Sequence, residues 1–195
     1  MFCNIIYINR KSSSFWENIR EGAVVVIVSS LFGSINGLFL SNIKGILKSY
    51  PGIIILYPAL INALGNIGSI IGSTMTTEIA LGLARSFKEE VVDALEFILK
   101  VEAPAVFMHI VFAGISFLLA GGSTSEANLI FLLRVALISN LMSFLVISFF
   151  ALGLAFLAFQ RGLNPDNVVI PFITALSDTA GTLALRLSLI IARIF

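Results

Sequence analysis

The chain holds a single cysteine and a single histidine in 195 residues. Cys3 has no partner for an intrachain disulfide and excludes a CxxC metal site. His109 alone lacks the companions that a zinc centre needs. Charge is scarce as well: Asp, Glu, Lys and Arg together make up 12% of the residues, against 58% hydrophobic ones. Soluble domains carry roughly 25% charged residues, so a soluble globular fold is excluded. The net charge is +1 with no basic run, which excludes nucleic acid as a partner. The opening MFCNIIYINRKSSS has neither a basic stretch ahead of its apolar run nor a small-residue cleavage site, so it is not a signal peptide. No nucleophile, base and orienting group occur together, and no enzyme is expected.

What is abundant is apolar length. Runs near 22–43, 52–82, 103–120, 129–159 and 168–194 each reach the roughly 20 residues that a spanning helix requires. The mean hydropathy is +1.03. The expected fold is all-α: a polytopic membrane protein with five transmembrane helices, residues 20–195, behind a short cytoplasmic segment, 1–19. If the N-terminus is inside, Arg10, Lys11, Arg20, Arg85, Lys88, Lys100 and Arg161 are cytoplasmic, against Lys44, Lys48 and Arg193 outside. Basic residues concentrate in cytoplasmic loops, so the cell-membrane orientation is N-in and C-out.

Between the runs, Ser14 and Glu17 have capping-box spacing, and Trp16 suits the membrane interface. Asn42 to Pro51 reads as a polar link. Residues 84–102 read as a short amphipathic cytoplasmic helix, with Phe87, Val91, Leu95 and Ile98 on one face and Glu89, Asp93, Glu96 and Lys100 opposite. In the first span Ser29, Gly33, Gly37 and Ser41 recur at four-residue intervals, which suits close helix packing inside the subunit. His109 is expected to serve packing or to bond a neighbouring helix. Arg134 can snorkel, and Asn140 and Ser143 lie one turn apart in the fourth span.

Two spans carry polar stripes. In the second, Asn62, Asn66, Ser69, Ser73 and Thr76 fall at offsets 0, 4, 7, 11 and 14, beside Gly65, Gly68 and Gly72, with Pro58 freeing a carbonyl. In the last, Pro171, Thr174, Asp178, Gly181 and Leu185 fall at 0, 3, 7, 10 and 14. A carboxylate at such depth costs roughly 2.5 to 3.5 kcal/mol on insertion scales and marks a function facing water or protein. A structural pair with Arg186 or Arg134 is the alternative for Asp178, and a glued helix seam is the alternative for the second stripe.

Of the eleven acidic residues only Asp178 lies deep in an apolar run, so no second buried carboxylate is expected. One carboxylate, amides, hydroxyls and freed carbonyls form an oxygen-only set, which suits magnesium, calcium or manganese and disfavours zinc and copper. A twofold dimer would bring two Asp178 residues to one pore.

At Pro58, Ala59, Leu60, Gly65, Asn66, Ser73, Thr74 and Thr76, and again at Pro171, Thr174, Asp178 and Gly181, the sequence resembles the MgtE magnesium transporter family. The resemblance covers about residues 20–195. It implies a homodimeric channel or transporter in the lipid bilayer for divalent cations: Mg2+ first, with Mn2+, Co2+ or Ca2+ as other cargoes. Asp178 would hold the hydrated ion at the dimer axis. Thr174 would offer an oxygen one turn before it, and Gly65, Asn66, Ser69 and Ser73 would line the opposing wall. With the stripes, the pore-lining set is Asn62, Ser69, Ser73, Thr76, Pro171 and Gly181. Ser69 and Ile70 depart from the Asn-Gln of many bacterial members. The long sensor and CBS domains of many members have no counterpart here, which leaves regulation absent, intrinsic to the helices, or supplied by a separate subunit. Two other readings fit the same stripes: a non-transporting membrane assembly module and a cation-coupled secondary transporter or exchanger.

Overall fold

A computed structural model describes residues 15–82, 87–122 and 128–194. These form five helices: α1 Phe15–Ser49, α2 Pro51–Ala80, α3 Phe87–Leu119, α4 Leu129–Gln160 and α5 Pro165–Ile194. Each contains a stretch long and apolar enough to cross a membrane. Lipid offers no hydrogen-bond partner, so a spanning segment must satisfy its backbone internally, and a helix does this within itself. Cys3, Ser14 with its capping-box role, and residues 83–86 and 123–127 lie outside the described residues.

The helix ends follow local chemistry. The Asn128 side chain accepts a bond from the Phe131 amide at 2.8 Å and caps α4. At the other end of α4, Gly162 takes φ +64°, its amide reaching the Phe159 carbonyl while Leu163 N–H bonds Ala158 O at 2.9 Å. This double bond pattern is a Schellman cap, which needs a left-handed residue and so a glycine. Only Tyr50 separates α1 from α2, and Pro51 opens α2 where its missing amide costs nothing.

Two boundaries differ from the sequence expectation. The polar stretch Asn42 to Ser49 is the last part of α1, not a link. Lys48 lies in the last turn, where the helix dipole favours a cation, and Ser49 Oγ donates to the Gly45 carbonyl. The amphipathic stretch likewise continues without a break into the third span as α3, with Pro104 inside it. The stripe residues Phe87 and Val91 have side chains outside the described set.

Packing centres on α5, which touches α1, α2 and α4, while α4 also meets α2 and α3. Ile53, Leu56, Leu60, Leu64 and Ile71 of α2 are fully buried, as are Ile147 of α4 and Ile173 and Leu185 of α5. By contrast α1 has only 6% of its apolar window buried, and Val24, Ile27, Leu31 and Leu38 face outward. The two glycines of its small-residue stripe do not pack inside the subunit as expected, since nothing lies within 4 Å of a Cβ at Gly33 or Gly37, although the Ser29 hydroxyl of the same stripe is buried. Spacing signals that close approach is sterically available, but not which helix makes it.

The tightest meeting is at Gly68. A Cβ there would press on Ile173 of α5 and stand 2.6 Å from Ile147 of α4. The absence of a side chain at this point lets three helices come together. Overpacking such a position costs about 1 to 3 kcal/mol. Gly68→Val should therefore lower the thermal unfolding midpoint of the purified protein, while Gly33→Ala should leave it unchanged or slightly raised.

Candidate functional site

The two polar stripes meet along an antiparallel seam between α2 and α5. Near one end, a Cβ on Gly181 would stand 3.1 Å from Ile61 and 3.2 Å from Leu64; further along, Gly65 faces Thr174 at 3.6 Å and Gly72 faces Val169 at 2.8 Å. Small residues therefore set the distance between the helices. Asp178 lies between the Gly181 and Thr174 levels. It is the twelfth residue of the span Asn167–Ala192, about 16 Å along it at 1.5 Å per residue, which is mid-membrane.

Most hydroxyls in the seam are satisfied by their own helix. Ser69 Oγ donates to Gly65 O at 2.9 Å, Thr76 to Gly72 O, Thr174 to Ile170 O at 3.0 Å and Ser177 to Ile173 O. Ser69 Oγ and Thr174 Oγ1 also lie 3.4 Å from each other across the seam, where either hydroxyl can donate to the other, leaving acceptor lone pairs on both oxygens. This pair sits one turn from the carboxylate.

Asp178 is half-buried and makes no ion pair among the described residues. Arg186 and Arg134 are both exposed and paired with neither Asp178 nor any other described group. The structural-pair reading of Asp178 is thus set aside. The helix around Asp178 is held by residues that the sequence reading passed over. Thr182 Oγ1 donates to the Asp178 carbonyl at 2.8 Å, which makes Tyr57 OH the donor in its 2.9 Å bond to Thr182. Asn36 Nδ2 donates in turn to Tyr57 OH at 3.5 Å. One oriented chain of bonds therefore runs from α1 through α2 to the backbone of the acidic residue. A tyrosine at the seventh position of a helix gave no motif to read; its partner is 125 positions away.

The other anticipated residues separate into two groups. Asn62, Asn66 and Thr174 are exposed, and Ser69, Ser73, Pro171 and Asp178 are half-buried along the same open side. Gly65, Thr76 and Gly181 are buried inside the subunit. Gly65 and Gly181 belong to the seam itself, and Thr76 bonds only its own helix.

A second carboxylate was not anticipated. Glu102 lies within the span Leu95–Leu119, half-buried, and accepts a 2.5 Å bond from Asn140 Nδ2 of α4. It corrects the expectation that Asp178 is alone in the membrane. The signal was available: Ile98, Glu102, Ala105, His109, Ala113 and Ser116 recur at intervals of 4, 3, 4, 4 and 3, a single face. His109 is fully buried, as its packing reading expects, and bonds Ala105 O of its own helix at 2.7 Å, not a neighbouring helix. No group of three or more His, Cys, Asp or Glu occurs among the described residues.

Fold and site together define a polytopic all-α membrane protein whose mid-span polar groups gather on one side of a glycine seam. The chain belongs to the MgtE family of divalent cation transporters, whose family model matches residues 57–188, from the Tyr57 that bonds Thr182 to the end of the seam in α5. No curated protein and no solved structure matches the chain.

Side-chain bonds between membrane helices are worth about 0.6 kcal/mol on average and up to about 1.7 kcal/mol. A double-mutant cycle with Tyr57→Phe and Thr182→Val, read by denaturant unfolding in detergent, should give a coupling in that range. A coupling of zero would mean that the chain of bonds does not hold α5 in place.

Proposed function

We propose that the protein conducts hydrated Mg2+ across the cell membrane past Asp178, in a pore on the twofold axis of a homodimer. The observation that carries this reading is the open polar side of the α2–α5 seam: Asn62, Asn66 and Thr174 exposed beside a carboxylate without a basic partner. Facing lipid, the two amides and the carboxylate would each cost free energy. A second copy covering that side turns the cost into a water-filled path.

The charge count supports a dication. Two Asp178 carboxylates, one from each subunit, balance one doubly charged ion, and magnesium is usually held by one or two carboxylates with waters retained. Asn66 amide oxygen and the facing acceptors of Ser69 and Thr174 would receive hydrogen bonds from the ion's own waters. Mg2+ is the leading cargo, and Mn2+, Co2+ and Ca2+ satisfy the same oxygen set. Inward passage down 100 mV releases about 4.6 kcal/mol, twice the roughly 2.3 kcal/mol per unit charge. Uptake then requires no second ion. With the N-terminus cytoplasmic, as the basic-residue bias indicates, Asp166 and Asn167 stand at the inner end of α5.

In liposomes, Asp178→Asn and Asp178→Ala should abolish magnesium influx, while Asn62→Ala should reduce it without abolishing it. Undiminished flux in either Asp178 variant removes the carboxylate from the mechanism. Light scattering of the detergent-solubilised protein should give the mass of two chains, and a monomer that still conducts magnesium would place the path elsewhere.

A further inference from the structure

α1 buries little apolar surface, so its seat in the subunit rests on specific contacts. Asn18, Glu21, Val25, Phe32 and Asn36 recur at intervals of 3, 4, 7 and 4, a single face. Along that face the Phe32 ring packs on Phe172 at 5.4 Å, and the Phe32 carbonyl accepts from Thr179 Oγ1 at 3.3 Å. At its start the contact is polar. Glu21 Oε2 accepts from the Asn164 backbone N–H and from Asn167 Nδ2, each at 3.3 Å, and the same Nδ2 reaches Asn18 Oδ1 at 3.0 Å. An amide nitrogen carries two hydrogens, so α1 takes both of those on Asn167. All four residues are half-buried, and Glu21 makes no ion pair among the described residues. A carboxylate suits this place on two counts: amides at a helix start have no partner within the helix, and the dipole there favours negative charge.

Asn167 is tied to the polar side of α5 by register. It stands 4, 7 and 11 residues before Pro171, Thr174 and Asp178, offsets that put it at the head of the same stripe. Asp178 lies about 16 Å further along the axis, at 1.5 Å per residue. We infer that Asn18 and Glu21 are positioning residues for transport: by gripping the first member of the α5 stripe they set the rotation of the helix, and with it the direction in which Thr174 and Asp178 face. The glycine seam fixes α5 against α2, and the grip holds it from the α1 side. A helix transmits a rotation of its first turn to the residues beyond, so a change at Glu21 reaches a site it does not touch. The competing role for Glu21 is to attract cations by its charge. Its bonds point the other way, since one oxygen already accepts two N–H groups and an uncharged amide oxygen would accept them too.

The inference rests on the polar side being the ion path, and Mg2+ influx into liposomes, read against Mg2+ concentration, tests the two separately. Glu21→Ala and Asn167→Ala should each raise the half-saturating concentration about two- to thirtyfold, the range for residues that act on a site through packed helices. The double variant should add little to either single one, because each alone breaks the same grip. A loss of folded protein would lower the maximal flux and leave the half-saturating concentration where it was. Glu21→Gln keeps an acceptor and drops the charge, and should restore the wild-type value. An unchanged half-saturating concentration in Glu21→Ala overturns the inference. So does a value in Glu21→Gln as high as in Glu21→Ala, which makes charge the operative feature. Should Glu21→Ala not fold, Asn18→Ala decides, since it removes one bond and leaves the carboxylate: a raised half-saturating concentration supports the grip and an unchanged one overturns it. Flux that survives in Asp178→Asn strikes the ion path, whereas flux lost there beside a normal Glu21→Ala strikes the grip alone.

Discussion

Everything in this molecule depends on how closely α2 and α5 approach. Water cannot reach the hydrocarbon to solvate a backbone or a side chain, so each helix is internally complete and the helices gain little hydrophobic free energy by meeting. Packing contact is left to hold them, and contact grows as side chains shrink. Gly65, Gly68, Gly72 and Gly181 supply the near approach. The larger residues Leu60, Leu64 and Ile173 then fill the inner side of the seam completely, which leaves the polar residues of both helices on its outer side. The seam is therefore an instrument of orientation: closing it with small residues decides where Asp178 points.

Magnitude separates the hydroxyls from the carboxylate. A serine or threonine can give its proton to the carbonyl four residues back, so Ser69, Thr76, Thr174 and Ser177 cross the membrane at little cost and need no neighbour. Asp178 has no such local solution. Its cost of a few kcal/mol persists in the isolated subunit, where no described residue offers it a positive charge. The hydroxyls of the polar surface are thus satisfied within their own helix, while Asn62, Asn66 and above all Asp178 have no such local solution.

The sequence displayed the spans plainly, because membrane length is a coarse quantity and every one of the five runs comes close to it or exceeds it. Ends were harder. Lys44, Lys48 and Ser49 look like loop residues, yet at a helix terminus a lysine meets the dipole and a serine bonds its own backbone, so polarity there costs nothing. The helical stripe of α2 was legible only in part. Asn66 and Thr76 are about 80° apart on a helix of 3.6 residues per turn, and the seam runs between them, exposing one and burying the other. Which edge turns outward is a property of the partner helix. Glu102 escaped notice for a related reason: its segment is amphipathic enough to pass as a surface helix until the helix is seen to continue through Pro104 into the bilayer.

The two intramembrane carboxylates differ by surroundings more than by depth. Glu102 has a polar partner from the adjacent helix, Asn140, which is 1% exposed. Asp178 stands half-buried at an open side with acceptors spread along two helices, and no described residue closes over it. A passing ion needs the second arrangement, since a site that satisfied it fully would not release it. In the proposed pore, a group left half-buried and flanked by oxygens that can hold an ion's waters but not replace them would bind a dication weakly enough for transit. On that reading, the incompleteness of the Asp178 environment in one chain is what a conducting surface shared between two chains requires.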